Sequence, residues 1–211
     1  MAPVRLHAPA PVNGLVAVKE AVLPWSRFRT VDGDGLDIAL GPEMRSTGEV
    51  MGIDVDFAAA FGKSQAAALV PLSAKGRVLV SAAPRCRPAL VFPLRVLADL
   101  GFDIVATDGT AEVLDRGGVP VAPWAVAVPE LARRITDGDF DLIVDIPGGA
   151  GDPATDAAIR SAAAAHGLPC LTTVPALSAA VHSIESLRRT PVSVRSLQDY
   201  HRSRASAGDR W

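Results

Sequence analysis

Cysteine is almost absent: Cys86 and Cys170 stand far apart, with no CxxC pair and no metal-ligand spacing. That excludes a disulfide-framed fold and leaves two buried or idle thiols, as expected of a reducing cytoplasm. An excess of either charge is missing too. The 21 Lys and Arg against 23 Asp and Glu give a formal net charge of −2. Neither nucleic acid nor an anionic membrane is therefore expected as a partner. No apolar run reaches membrane-spanning length. The opening "MAPVRLHAPAPVNG" has no unbroken apolar stretch, so residues 1–15 read as a disordered lead-in rather than a signal peptide. Histidine is scarce, and none of His7, His166, His182 and His201 falls at a predicted strand end, where a base or a ligand would sit. The polar "HRSRASAGDRW" (201–211) reads as a tail.

What the chain has is alternation. Its 211 residues are 49% hydrophobic and 21% charged, enough for one domain and a smaller piece. From Gly76 onward, strand and helix patterns follow one another. "RVLVSA" (77–82) is a β-branched run; "PALVFPLRVLADLG" (88–101) has helical spacing, with Pro93 expected to kink the helix or delay its start. "DIVAT" (103–107) and "GTAEVLDRGG" (109–118) form the next strand and helix, and "VPVAPW" (119–124) a third strand. "VPELARRITDGD" (128–139) is helical, and "FDLIVDI" (140–146) reads as a strand buried on both faces. "DPATDAAIRSAAAAHG" (152–167), "LPCLTT" (168–173) and "VPALSAAVHSIESLRR" (174–189) complete the series. The fold class predicted is α/β: an open five-stranded parallel sheet with helices on both faces. Ligands of such sheets sit at the carboxyl ends of strands, where Thr107, Asp145 and Thr172 fall.

"DIVATDGTAEVL" (103–114) runs from a strand through a hydroxyl-bearing turn into a helix N-terminus, a geometry that seats phosphate on free N–H groups. The same residues can instead form a self-capped turn, with Thr107 or Asp108 bonding the first helical N–H groups. "DIPGGAGD" (145–152) reads as a strand-to-helix turn capped by Asp152, because a lone glycine-rich loop is weak evidence for metal or nucleotide.

The residues before 76 are different. "GLVAVKEAVLPWSRF" (14–28) begins as a strand, "LGPEMRSTGEVMGID" (40–54) carries turn signals, and "DVDFAAAFGKSQAAALV" (54–70) is a helix capped by Asp54 or Asp56. One helix and two strands bury too little surface to stand alone.

"VKEAVLPWSRF" followed by "LGPEMRSTGEVMGID" closely resembles the segment that closes the second ATP-grasp half of the carbamoyl-phosphate synthase large subunit. "VSVRSLQDYH" (192–201) is similar to that family's end. The resemblance implies residues 16–63 as the end of an ATP-grasp domain and 64–75 as a linker. It implies residues 76–200 as a methylglyoxal synthase-like regulatory domain. It also implies no metal or cofactor within this chain: the ATP and magnesium sites of the ATP-grasp halves would lie upstream of Met1. The chain alone is then not catalytic. Its implied partners are the ATP-grasp halves and the glutaminase subunit, in support of carbamoyl phosphate formation for arginine and pyrimidine biosynthesis.

By the same resemblance an effector phosphate is held by Ser81, Arg87, Thr107 and Thr110, with Arg87 where the family usually has lysine. Two further family features are missing: the lysine position falls near Val126, and an Asn-Thr-Thr run is replaced by Asp145, Ile146 and Pro147. Glu20 and Thr172 match a pair that binds an effector amino acid, although Glu20 read alone is a strand-edge charge. An ionised Asp145 at ~6 Å would repel each phosphate charge by roughly 3 kcal/mol at an effective dielectric of about 20. A helix N-terminus returns only about 0.3–1 kcal/mol. A nucleotide monophosphate is therefore expected to bind weakly unless Arg85 or Arg87 folds over the site, and ornithine is the other implied effector. Two alternatives stand beside this reading. One is a truncated or decayed homologue; the other is a stand-alone methylglyoxal synthase-type lyase, whose chemistry needs a histidine that the loop at 145–156 lacks.

Overall fold

A computed structural model of the chain describes residues 14–23, 44, 46, 48–68, 70–124, 128–147, 153–190 and 192–200. Val126, the loop at 148–152 with Asp152, and the two ends read above as lead-in and tail lie outside or mostly outside these residues.

The chain opens with an antiparallel hairpin of β1 (Val16–Ala21) and β2 (Glu49–Asp54), followed by α1 (Phe57–Ala67). Helix α1 starts where Asp56 accepts a hydrogen bond from the Ala59 N–H at 2.9 Å, so Asp56 rather than Asp54 is the cap. Then come β3 (Arg77–Ala82), α2 (Arg87–Asp99), β4 (Asp103–Thr107), α3 (Asp108–Arg116), β5 (Ala122–Trp124) and α4 (Val128–Thr136). β6 (Leu142–Ile146), α5 (Pro153–Ala165), β7 (Cys170–Leu171) and α6 (Val174–Arg189) follow.

The five later strands form one parallel sheet in the order β5-β4-β3-β6-β7. The predicted α/β architecture is thus present. The third and fifth strands are shorter than their sequence runs, at three and two residues. Each lies on an edge of the sheet, where only one neighbour holds it. Pro93 does not delay α2, which begins six residues earlier and carries Pro93 buried in its interior. Ala89, whose carbonyl loses its helical partner to Pro93, is an exposed residue.

Two cores flank the sheet. Val78, Val80, Ile104, Ala106, Leu142 and Val144 face α2, α3 and α6. Leu79, Val105, Trp124 and Ile143 face α4 and α5. Strand alternation then assigns Ser81, Thr107 and Asp145 to the α4–α5 side, each two residues beyond a member of that second core. The hairpin is fastened to the domain through α1: Phe61 packs on the first core, and Gly62 lies against Ser183 of α6, where a Cβ would come within 2.5 Å of the Ser183 oxygen. The 192–200 segment returns over β2, with the Tyr200 hydroxyl donating to the Ile53 carbonyl at 3.1 Å.

Gly52 is the tightest point of the hairpin: a Cβ there would stand 2.0 Å from the Ala60 carbonyl oxygen and 2.6 Å from the Ser64 nitrogen, both backbone atoms. Gly52→Ala is expected to cost about 2–3 kcal/mol by lifting β1–β2 from α1. Amide exchange at Val18 and Glu20 should rise while that of β3 and β6 stays slow. Beside it Asp54 pairs with Lys63 at 2.7 Å. Burial works to raise the Asp54 pKa, but the hydrogen bond and charge of Lys63 and the Val55 N–H outweigh it, holding the carboxyl below its ordinary 3.8. Stability from a depressed carboxyl is present above the unfolded value and lost as pH falls through the folded one. Exchange in β2 should therefore accelerate below about pH 4, and Asp54→Asn should flatten that rise.

Candidate functional site

The chain winds from β3 outward to β5, then crosses to β6 and β7, so the switch in winding lies between β3 and β6. Crevices at such points hold ligands because the two connections leave in opposite directions. Ser81 is the register partner of Asp145. The Val80–Ala106 pairing brings Thr107 next to Ser81 on the other side. Thr107, Ser81 and Asp145 thus form one row across three strands at the carboxyl edge.

Thr107 is the N-cap of α3 by backbone but makes no side-chain cap bond; its hydroxyl donates to the fully buried Thr110 hydroxyl at 3.2 Å. The self-capped alternative for Thr107 is therefore not what the turn adopts, and the helix keeps N–H groups open to an acceptor. Arg87, at the start of α2, donates from Nε to the Ala82 carbonyl at 2.9 Å. Its guanidinium lies over Gly109, where an added Cβ would come within 2.5 Å of Nη1. Ser81, Arg87, Thr107 and Thr110 are all brought to this one place, and of the two candidate arginines it is Arg87 that folds over the turn.

Asp145 departs from the charge argument made on the sequence. It is fully buried, and Arg160 of α5, 5% exposed, donates from Nη1 to its Oδ2 at 2.7 Å. The acid beside Ser81 is thereby one half of an ion pair, not a lone negative charge. Arg160 was not singled out from the sequence. Its signal was there, as the lone arginine in an Ala-rich helix between the buried Ile159 and Ala163.

Glu20 and Thr172 line one cavity of about 370 Å³, with Val18, Phe61, Leu168 and Ala176 among its other walls. Gln65 donates from Nε2 to both Glu20 oxygens at 2.7 Å, and the Ser64 hydroxyl lies 3.1 Å from Oε2. Among the described residues Glu20 receives only these neutral donors, since the neighbouring Lys19 pairs with Glu49. A carboxylate so held is oriented but not neutralised, which fits it for an ammonium group. Thr173, next to Thr172, caps α6 by accepting from the Ala176 N–H at 3.2 Å. Gln65 and Ser64 were missed in the sequence, where nothing but helical spacing marks them.

Among the described residues no group of three His, Cys, Asp or Glu could hold a metal ion, and no helix is long and apolar enough to cross a membrane. His166 and His182 are exposed, away from the strand ends.

The chain is similar to known proteins in two respects. Residues 89–172 match the MGS-like domain family. The chain is 47% identical over 207 residues to the carbamoyl phosphate synthase large chain of Streptomyces avermitilis, an alignment covering 94% of this chain and 19% of that protein. It is 50% identical over 200 residues to that of Mycobacterium tuberculosis, covering 90% of this chain and 18% of the relative. The chain thus spans about a fifth of the length of the relatives it matches. It is similar over most of its length to the C-terminal, MGS-like region of carbamoyl phosphate synthase large chains.

Gly109→Ala probes the Arg87 seat without disturbing the core. The atom it displaces is the far end of a flexible side chain, so stability should change by less than about 1 kcal/mol. Protection of Arg87 from guanidine-modifying reagents by millimolar inorganic phosphate is expected in the unaltered chain and should be lost in the variant.

Proposed function

We propose that the chain is the effector-binding, regulatory part of a carbamoyl phosphate synthase. It works with ATP-grasp halves that bind ATP and magnesium and with a glutaminase subunit, in the cytoplasm. It tunes carbamoyl phosphate formation for arginine and pyrimidine synthesis and carries no catalytic residue of its own. The observation that carries this reading is the single cavity walled by Glu20 from the hairpin and Thr172 from the sheet. An amino acid with a second, side-chain amine, such as ornithine, suits it. Its ammonium would meet the Glu20 carboxylate while apolar walls take the methylenes. The cluster of Ser81, Arg87, Thr107 and Thr110 supports a second effector, a nucleotide monophosphate held by its phosphate.

A direct test supplies this chain to a carbamoyl phosphate synthase whose large chain has been shortened to end before its own MGS-like region. The two should associate, and carbamoyl phosphate formation should regain a response to ornithine and to uridine monophosphate. Glu20→Ala should abolish the ornithine response and leave the nucleotide response. Failure to associate, or association with no effector response, would overturn the proposal.

A further inference from the structure

We propose that Arg160 determines the anion affinity of the seat at Ser81, Arg87, Thr107 and Thr110, by pairing with Asp145. This rests on reading that seat as an effector phosphate site. The sequence places an acid in the row with Ser81 and Thr107, which on its own repels a phosphate dianion. The structure supplies the compensation from the opposite direction, through α5. Asp145 and Arg160 are joined at 2.7 Å and both are more than nine-tenths buried, so the carboxylate beside Ser81 meets a guanidinium of opposite charge inside the fold. Arg87 is a cation of the seat, and its described side-chain bond goes to the neutral Ala82 carbonyl.

α3 places Asp108 in its first turn, so the seat carries an acid as well as Arg87. On α4, Arg133 is paired with Glu130 and Asp137, and Arg134 with Asp139. α5 also carries Asp156, in its first turn. β3 contributes Ser81, and Arg77 at its far end pairs with Asp103. Arg160 is therefore a positioning residue: it acts on the ligand through the state of Asp145.

Calorimetry of the full chain with uridine monophosphate, and with inorganic phosphate as a second probe, tests this through Arg160→Gln, Arg160→Lys and the double variant Asp145→Asn with Arg160→Gln. The unaltered chain should bind, and the double variant should bind within about threefold of it, because the acid and its cation are removed together. Arg160→Gln should bind at least about tenfold more weakly at pH 7.5. Relative to the unaltered chain at the same pH, that deficit should shrink towards pH 5 as the stranded Asp145 takes up a proton, a trend that mere loosening of the fold would not produce. Arg160→Lys should recover most of the affinity. Should Arg160→Gln fail to fold, the double variant still decides: affinity tenfold below the unaltered chain would mean that the guanidinium itself holds the ligand, and the proposal falls. Unchanged binding by a folded Arg160→Gln also overturns it, while leaving the effector reading intact. Absence of binding in every variant, the unaltered chain included, removes the phosphate seat and this proposal together, and ornithine binding at Glu20 then reports separately on the effector reading.

Discussion

All five residues of β6 are buried, and the strand lies between β3 and β7 with helices over both faces. That single condition dictates much of the rest. A strand in such a position admits an acid only if a cation follows it inside, since an unpaired buried carboxylate is costly and the loss of one partner from a buried pair costs about 3–5 kcal/mol. Asp145 is that acid, and Arg160 reaches it from α5. The helix is positioned by Ile159 and Ala163 in the second core, so the residue between them in the turn is aimed at the sheet. Burial of one strand has thereby recruited a charged residue from a helix that otherwise reads as alanine packing.

The hairpin obeys a different constraint. Two strands of six residues each are marginal by themselves. They depend on α1, which approaches both its neighbours through glycine. Gly52 lets β2 approach the α1 backbone, and Gly62 lets α1 approach α6 at Ser183. Phe61 and Leu72 then join the first core, so the hairpin shares apolar surface with the sheet. The cavity of Glu20 and Thr172 is a product of this docking, because its walls come from β1, α1, the β7 region and α6. Neither half contains it alone.

Most of the fold was legible in the sequence because its signals are local. Each strand-to-helix alternation from Gly76 onward appears in its predicted place, and α6 spans 174–189 as its periodicity indicated. The departures come from tertiary context. β5 and β7 are cut short because edge strands pair on one side only. Pro93 stays within α2 because its ring adds to a buried helix face. The site was half legible. The threonines, Arg87, Ser81, Glu20 and Thr172 were identifiable from the family motif, and the structure brings them into two groups. Gln65 and Arg160 were not, since each matters through a partner distant in sequence: Gln65 lies 45 residues from Glu20, and Arg160 lies 15 from Asp145 on another element. A sequence read residue by residue assigned Asp145 a full negative charge. Only the fold shows that the charge is shared.

The two groups are joined by α5. Its thirteen residues extend about 20 Å at the usual rise per residue. Arg160 sits midway, bound to Asp145 in the row with Ser81, while Ala164 near its end and Gly167 and Leu168 just beyond wall the Glu20 cavity. Between these points Ala163 is fully buried and Ile159 nearly so. Close packing of that kind does not deform gradually, so a displacement of one end must either carry the other or break the contacts between them. The Asp145–Arg160 bond resists the first course, and the second core resists the second. The row at Ser81 and the cavity of Glu20 are therefore tied to one stiff segment, at its middle and at its end, with a buried ion pair fixing its register against the sheet.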